Sequence, residues 1–429
     1  MRFSQLDAWL RWQETLYPRS VELGLDRVRP VWDRLGGRLP FPVVTVGGTN
    51  GKGSCVAMLE AVYRAAGYRT ACYSSPHLLH YTERIRCNAV PVEEGALCQA
   101  FDRVDRARGE RRLTFFEFGT LAALDLFLRW SPDVAILEVG LGGRLDAVNL
   151  VDADAALVTT IARDHMAWLG ETLDAIAREK AGIFRPGRPA VIGSRDAPAP
   201  LRELALGMGA KVHQLGREFH AYRTGQGWHW QVPGAAPLAL PFPSLRGAFQ
   251  VDNAAAVLMV ISALTQRLPV PVQAMRQGLQ RAVLPGRFQV LPGPHPDDPT
   301  LILDVAHNGQ AAESLASNLR GFPCPGERHA VLAVLGDKAV DEILEPLLPL
   351  FATWHLAQAE DRRALPVADL AAAVTAARDR TAPTAAVLSH GSIAEALAAA
   401  KGGARRGDCV VVLGSFTTVE GALRAAGLA

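Results

Sequence analysis

The first half of the chain alternates short apolar runs with amphipathic stretches. Apolar runs typical of buried parallel strands occupy residues 42–46, 69–74, 133–139, 155–161 and 189–193. Apolar positions at helical spacing predict helices that include residues 5–17, 26–35, 54–66, 121–129 and 172–181. Because strands and helices alternate, we predict an α/β fold with a mainly parallel, doubly wound sheet.

The pattern changes twice in the rest of the chain. Short alternating runs between residues 211 and 240 predict an antiparallel excursion, and a helix follows at 253–264. Proline and glycine at 284–288 and 291–299 indicate a linker. A second series then begins, with strands predicted at 301–305, 330–335, 353–356, 385–389 and 409–413. Its predicted helices lie at 311–320, 341–350, 367–378 and 392–400. We therefore predict a smaller, Rossmann-like α/β domain at the C-terminal end of the chain.

Composition narrows the class of protein without naming a function. A chain of 429 residues is long enough for two domains, and 49% hydrophobic with 21% charged residues is the balance of a soluble globular protein. The formal net charge of +2 gives no support to nucleic-acid or membrane-surface binding. The six cysteines form no CxxC pair, which predicts reduced thiols in a cytoplasmic protein. We find neither a signal peptide nor an apolar run long enough to span a bilayer.

A glycine-dense turn at residues 47–53 is the strongest chemical signal in the chain. It joins the strand at 42–46 to a helix that we expect to open at Ser54, which is the context of a phosphate-binding loop. Lys52 can reach the outer phosphates, and the Ser54 hydroxyl can bind Mg²⁺. The strict P-loop pattern fails, because Val46 stands where it requires glycine and Gly53 where it requires serine or threonine. An ordinary turn with a solvated lysine remains the alternative.

Other polar residues stand at or just beyond the ends of predicted strands. Glu138 ends an apolar strand, where it is either a metal ligand or half of a buried ion pair. His165 follows another strand and is either a ligand or a structural histidine. Asp304 and His307 end the first strand of the second series. Lys180, judged only by its place on a predicted helix, is expected to be solvated.

The order of the motifs resembles one enzyme family along nearly the whole chain. The matching blocks are residues 48–54, 73–78 with 81–84, 137–146, 164–165, 178–184, 284–288 and 304–308. They resemble the bifunctional dihydrofolate synthase/folylpolyglutamate synthases, members of the Mur ligase superfamily. Two positions depart from the family: Gly309 replaces the usual proline, and the run 334–338 is shorter than its usual counterpart.

The resemblance implies an ATP-dependent carbon–nitrogen ligase that acts through an acyl phosphate. L-Glutamate would be joined to dihydropteroate, giving dihydrofolate, and to the γ-carboxylate of reduced folates, giving folylpolyglutamates. The cofactors implied are ATP and Mg²⁺, with two ions expected and Mn²⁺ possible, and an N6-carboxylysine at Lys180. The implied partners are these small molecules, and we expect a monomer. The domains would be residues 1–287, a P-loop ATP- and pterin-binding domain, and 288–429, a glutamate ligase domain.

The resemblance also assigns roles to residues. The catalytic set would be Lys52, Lys180, His165 and His307. ATP would be held by Thr49, Asn50, Gly51, Lys52, Gly53, Ser54, Asn253, Arg287 and Asp304. Metal ligands would be Ser54, Ser75, Glu138 and His165. Dihydropteroate would lie near Val21, Glu22, Leu23, Thr114, Phe115, Phe116, Glu117, Leu145, Asp146 and Ala147.

Three other functions remain open from the sequence. A monofunctional folylpolyglutamate synthase would accept only folates that already carry glutamate. A muramyl-peptide ligase is disfavoured, because we expect no separate UDP-binding domain before Gly48. A non-catalytic nucleotide switch would bind ATP without substrate-dependent ADP release.

Overall fold

The computed structural model describes residues 1–17, 22–293, 295 and 298–428. The chain forms two compact units. Unit 1 comprises Met1–Ser244 and Gln250–Val283, and unit 2 comprises Leu245–Phe249 and Leu284–Ala429. The functional division that we predict after residue 287 stays a prediction.

Unit 1 contains the larger set of helices and strands. Its α-helices are α1 (Leu6–Thr15), α2 (Arg29–Leu35), α3 (Lys52–Ala65), α4 (Glu94–Arg108), α5 (Phe115–Trp130), α6 (Met166–Leu169), α7 (Leu173–Ala181), α8 (Ala199–Gly207), α9 (Phe249–Ala263) and α10 (Val272–Arg281). Its strands are β1 (Val43–Gly47), β2 (Thr70–Tyr73), β3 (Ile85–Cys87), β4 (Val90–Pro91), β5 (Val134–Glu138), β6 (Ala155–Val158), β7 (Pro189–Ile192), β8 (Lys211–Gln214), β9 (His220–Arg223), β10 (Trp228–Gln231) and β11 (Leu238–Leu240). Single 3₁₀ turns occupy Tyr81–Arg84 and Ala147–Leu150.

The main sheet places β1 near its centre. The described part of the chain gives eight strands in the order β4-β3-β2-β5-β1-β6-β7-β8, all parallel except at β3 and β4. Every residue of β1 and β5 is buried, because helices cover both faces of a parallel sheet. The carboxyl ends of β1, β5 and β6 therefore lie side by side, which is where ligands bind in this architecture. The predicted fold class is confirmed.

The antiparallel excursion is confirmed with one correction. Strands β9, β10 and β11 form a separate antiparallel sheet. The predicted excursion begins too early, because β8 pairs parallel with β7 and extends the main sheet. Strand β8 lies at the edge of the sheet, and its residues run from exposed Lys211 to buried Gln214. Its mixture of apolar and polar residues gave it the sequence pattern of the hairpins that follow.

Unit 2 is built on a smaller sheet. Its helices are α11 (Gly309–Gly321), α12 (Val340–Leu344), α13 (Val367–Thr381), α14 (Ile393–Gly403) and α15 (Phe416–Ala425), with a 3₁₀ turn at Leu348–Leu350. Its strands are β12 (Gln289–Leu291), β13 (Thr300–Leu303), β14 (Arg328–Leu332), β15 (Thr353–Leu356), β16 (Ala386–Ser389) and β17 (Cys409–Leu413). In the described residues their order is β12-β13-β17-β14-β15-β16, parallel except at β12.

Unit 2 corrects two predictions. The supposed linker contains β12, which pairs antiparallel with β13. The helix predicted at 341–350 ends at Leu344, because Pro346 and Pro349 lack the N–H that a continuous helix requires. The six cysteines are free, as predicted. No helix in the described residues is long and apolar enough to cross a membrane.

Candidate active site

The glycine loop joins β1 to α3 at the carboxyl edge of the main sheet. Gly48 and Gly51 adopt φ values of +138° and +85°, a region that residues with a side chain rarely enter. A Cβ added to Gly48 would overlap the Thr159 hydroxyl and lie 3.0 Å from the Thr159 backbone nitrogen. Helix α3 begins at Lys52, so the prediction that Ser54 opens it is wrong by two residues.

The segment after β6 holds the glycine loop in place. The Thr49 N–H donates to Thr160 O at 2.7 Å, and the Thr159 hydroxyl donates to Asn50 O at 2.6 Å. The Thr49 hydroxyl oxygen also accepts from the Ala162 N–H at 3.1 Å. These bonds give the loop a fixed shape, which a phosphate cradle requires.

Two lysines converge on one carbonyl of this loop. The Lys52 and Lys180 Nζ atoms each donate to Gly48 O at 3.0 Å, and Lys52 also donates to Thr49 O at 3.0 Å. Lys180 lies in the last turn of α7 and is only 4% exposed, so the expectation of a solvated lysine is wrong. Burial first, and then the charge of Lys52, lower the pKa of Lys180 to about 7. A substantial fraction of the amine is therefore neutral near pH 7.

The predicted metal ligands are distributed over four elements. Glu138 is 5% exposed, and its Oε2 accepts from the Ser75 N–H at 3.3 Å, so these two residues lie together. The Ser54 hydroxyl oxygen accepts from Gln250 Nε2 at 3.2 Å. His165 stands before α6 with φ +51°, and its Nε2 lies 3.9 Å from Asp164 Oδ1.

This donor set is compatible with Mg²⁺ or Mn²⁺. Two hydroxyls, one carboxylate and one imidazole are mostly hard oxygen ligands, and nucleotide phosphates and water usually complete such a shell. The described residues contain no group of three or more His, Cys, Asp or Glu side chains able to hold a metal ion. The residue set of the metal site stays a prediction.

Asp146 links the loop after β5 to the lysine pair. Its Oδ2 accepts from the Leu141 N–H at 2.8 Å and its Oδ1 from the Val148 N–H at 2.9 Å. Burial raises the pKa of Asp146 to about 6, an effect that backbone hydrogen bonds and the nearby Lys52 partly offset. Asp146 also precedes the 3₁₀ turn that contains Ala147.

The segments predicted to bind the pterin lie together. The Gly24 N–H, next to Leu23, donates to Leu145 O at 3.1 Å. Thr114 and Glu117 form a capping box at the start of α5, which also contains Phe115 and Phe116. Arg27 connects these segments, since its Nη2 contacts Glu117 Oε1 at 2.7 Å and Glu22 O at 2.8 Å.

Val21 lies outside the described residues. Arg27 was missed from the sequence, because one arginine just before a helix belongs to no motif. The only available signal was its position four residues after Leu23 in a segment that matched the family.

The other residues that are predicted to bind the nucleotide are divided between unit 1 and unit 2. In unit 1, Asn253 lies beside the glycine loop, since a Cβ on Gly51 would lie 2.9 Å from Asn253 Oδ1. In unit 2, the Asp304 carboxylate accepts from the backbone N–H groups of residues 288 and 306 at 2.9 and 2.8 Å. Burial raises the pKa of Asp304, and the Arg287 charge partly offsets this.

Arg287 and His307 share an aromatic neighbour that the sequence did not indicate. The Arg287 guanidinium lies 5.1 Å from the centre of the Phe416 ring, and the His307 ring lies 6.5 Å from it. His307 Nδ1 also lies 2.8 Å from Val305 O. Gly309, the departure from the family, starts α11 immediately after this group.

Two family descriptions match the chain, each over one part of it. The Mur ligase middle domain matches residues 46–261, and the Mur ligase glutamate ligase domain matches residues 286–416. Together with the fold and the glycine loop, these matches define a chain built from the middle and C-terminal domains of a Mur ligase.

Relatives and solved structures narrow the family. The dihydrofolate synthase/folylpolyglutamate synthase of Escherichia coli (strain K12) is 40% identical over 97% of this chain and 94% of its own length. The structure of E. coli FolC in complex with DHPP and ADP matches with a TM-score of 0.92 at 40% identity, covering 99% of this chain and 98% of that chain. A bifunctional folylpolyglutamate synthase/dihydrofolate synthase with Mn, AMPPNP and L-glutamate bound matches with a TM-score of 0.90 at 41% identity, over 99% and 98%. The chain therefore belongs to the dihydrofolate synthase/folylpolyglutamate synthase family of Mur ligases.

Proposed function

We propose that this chain is an ATP-dependent ligase that adds L-glutamate to two kinds of acceptor. With dihydropteroate the product is dihydrofolate, and with reduced folates the new amide forms at the γ-carboxylate. Relatives that carry both names in one chain support this assignment, as do solved structures of the family with nucleotide and L-glutamate bound. We further propose that the enzyme acts as a cytoplasmic monomer.

The observation that carries this proposal is the position of the loop at residues 145–146. On one side, Leu145 O accepts a hydrogen bond from Gly24, in a segment assigned to the pterin. On the other side, the Asp146 charge lies close enough to Lys180 to raise its pKa, against the larger lowering effect of burial. The same loop thus borders the acceptor side and the phosphate side of one site.

The chemistry requires activation of a carboxylate. A carboxylate is a poor acyl donor near neutral pH, whereas an acyl phosphate has a good leaving group. Transfer of the ATP γ-phosphoryl group to the acceptor carboxylate supplies that group and releases ADP. Attack by the glutamate amine then forms the amide and releases phosphate.

Lys52 and the glycine loop have a positioning and electrostatic role in this scheme. The loop is already fixed by its bonds to residues 159–162, so binding of the phosphates requires little reorganisation. The Lys52 ammonium is held at the carbonyls of Gly48 and Thr49, where its charge can stabilise the transferring phosphoryl group. Mg²⁺ would supply further charge neutralisation when bound. Two ions would be held by Ser54, Ser75, Glu138 and His165.

Lys180 is suited to carbamylation. Only a neutral amine reacts with CO₂, and the pKa of about 7 makes that form abundant at neutral pH. The resulting carbamate would be an anion next to Lys52, able to contribute an oxygen ligand at the metal site. Its role as N6-carboxylysine remains part of the proposal.

The test is acceptor-dependent turnover. Purified protein is incubated with ATP, MgCl₂ and L-glutamate, with one acceptor at a time: dihydropteroate, tetrahydrofolate or a UDP-muramyl peptide. ADP release and the product mass are measured. We expect ADP release and a glutamate adduct with the first two acceptors. Lys52→Met should abolish both, whereas the exposed Lys211→Met, a matched loss of charge in unit 1, should not.

Each other outcome identifies a different function. Adducts with tetrahydrofolate alone would indicate a monofunctional folylpolyglutamate synthase. Turnover with the muramyl peptide alone would indicate a cell-wall ligase. ATP binding without acceptor-dependent ADP release would indicate a nucleotide switch and would refute the ligase assignment.

A further inference from the structure

The Glu117 carboxylate is buried and has its two oxygens committed to different partners. Glu117 is 3% exposed, and its Oε2 accepts from the Thr114 N–H at 2.7 Å. Its Oε1 accepts from Arg27 Nη2 at 2.7 Å and from Arg27 Nε at 3.1 Å. A carboxylate at this depth requires an opposite charge, and Arg27 supplies it. The first turn of α5 is therefore tied to Arg27.

The same guanidinium holds the segment that precedes it. Arg27 Nη2 donates to Glu22 O at 2.8 Å, and Nη1 lies 4.0 Å from the Glu22 carboxylate. The guanidinium also lies 5.5 Å from the centre of the Tyr17 ring. Residues 22–24 are thus anchored on one side by Arg27, and on the other by the bond from Gly24 to Leu145.

We propose that Arg27 is a positioning residue for the pterin side of the site, an inference that rests on the proposed function. It joins the segment of residues 22–24 to the start of α5, and the first of these segments is itself joined to residue 145. These are the three stretches assigned to dihydropteroate. Arg27 makes none of the described contacts of the glycine loop, so we expect its loss to weaken binding of the acceptor more than binding of ATP.

Arginine suits this role better than lysine. Its planar guanidinium donates through Nε and Nη2 to one carboxylate oxygen while Nη2 also reaches a backbone carbonyl. Lysine has a single nitrogen and cannot reproduce this fork, although it retains the charge. The two substitutions Arg27→Lys and Arg27→Gln therefore separate the charge from the geometry.

The experiment compares three variants of the full chain in the turnover assay. Dihydropteroate, ATP and L-glutamate are varied one at a time in Arg27→Gln, Arg27→Lys and the control Arg29→Gln. Arg29 lies on the same segment and is exposed, so its loss changes the net charge equally. Melting temperatures are measured alongside.

We expect the KM for dihydropteroate to rise about tenfold or more in Arg27→Gln, the loss of one good charge-assisted hydrogen bond. Arg27→Lys should show an intermediate rise, because it retains the charge. The KM values for ATP and L-glutamate should stay within about twofold of wild type, because the substitution weakens the binding of the acceptor alone. Arg29→Gln should match wild type throughout.

Other results would overturn the proposal. An unchanged KM for dihydropteroate in folded Arg27→Gln would refute it. Equal changes in all three KM values, together with a lower melting temperature, would also refute it, because they would indicate a purely structural role. If Arg27→Gln does not fold, Arg27→Lys decides by the same criterion. If wild type and Arg29→Gln both lack acceptor-dependent turnover, the proposed function itself has failed and this inference fails with it.

Discussion

Replacement of Lys180 by methionine should change stability and activity in opposite directions. The amine of Lys180 is 4% exposed, and it shares the Gly48 carbonyl with Lys52. Methionine has a similar length and no charge, and Lys52 still donates to the carbonyl in the variant. We therefore expect Lys180→Met to be more stable than wild type and to have lost ligase activity.

The magnitude follows from the pKa. The pKa of Lys180 falls from 10.5 to about 7 in the folded chain. Because the unfolded chain holds the proton more tightly, folding with this lysine costs about 4 kcal/mol at pH 7. At pH 9.5 the lowered pKa of Lys180 reduces the free energy of unfolding by only about 1.5 kcal/mol. Wild-type stability should therefore rise towards that of Lys180→Met as the pH increases from 7 to 9.5.

The assay is urea unfolding followed by tryptophan fluorescence, in CO₂-free buffer so that the amine stays unmodified. All tryptophans except Trp354 lie in unit 1, so the signal reports the unit that contains Lys180. We expect Lys180→Met to exceed wild type by about 2–4 kcal/mol at pH 7 and by about 1 kcal/mol at pH 9.5. Lys211→Met, at an exposed position in the same unit, should differ little from wild type at either pH.

A stability difference that is absent at pH 7, or independent of pH, would refute the reasoning, because it would mean that Lys180 is not destabilised as an ammonium. Activity provides the second criterion. Addition of bicarbonate should raise wild-type turnover and leave Lys180→Met inactive. A variant with wild-type turnover would exclude the carbamate from the mechanism.

Two further predictions concern the glycine loop and unit 2. Gly48→Ala should destabilise unit 1 by more than about 2 kcal/mol in urea unfolding and abolish turnover, because its Cβ meets Thr159. Gly67→Ala, also at positive φ but with no atom within 4 Å of the new Cβ, should cost about 1 kcal/mol and keep activity. Burial, and then the neighbouring histidines, lower the pKa of His355 to about 4. An unfolded histidine takes up its proton near pH ~6.5, so the free energy of unfolding of unit 2 should fall by up to about 3 kcal/mol between pH 6.5 and 4. Hydrogen exchange measures this fall. It should be smaller in His355→Gln and unchanged in the control His295→Gln.

The central strands could be predicted from the sequence because a parallel strand covered on both faces is a continuous apolar run. Residues 409–413 illustrate this, since the predicted and observed strand β17 agree at both ends. Edge strands do not produce that signal. Strand β12 has only half-buried residues and lies between glycine and proline, so its pairing with β13 gave no periodic pattern.

The glycine loop could be located from the sequence, because backbone positions with positive φ values favour glycine. The burial of Lys180 could not be predicted from the sequence. The helical spacing of α7 does not show which of its faces meets the loop at residues 48–51, and that contact depends on how β1 and α7 pack. Arg27 and Phe416 were missed for the same reason, since each contacts a segment that is distant in sequence.

The convergence of Lys52 and Lys180 explains why the two lysines can have different chemistry. Burial, and then repulsion by the Lys52 ammonium at the same carbonyl, lower the pKa of Lys180, so Lys180 loses its proton more easily. In the proposed mechanism, CO₂ converts this neutral amine into an anionic carbamate, and its interaction with Lys52 changes from repulsion to attraction. The geometry that disfavours the ammonium thus favours the carbamate. Lys52 would remain charged and available to the phosphates, so burial of Lys180 beside Lys52 would give the two side chains opposite charges in the proposed mechanism.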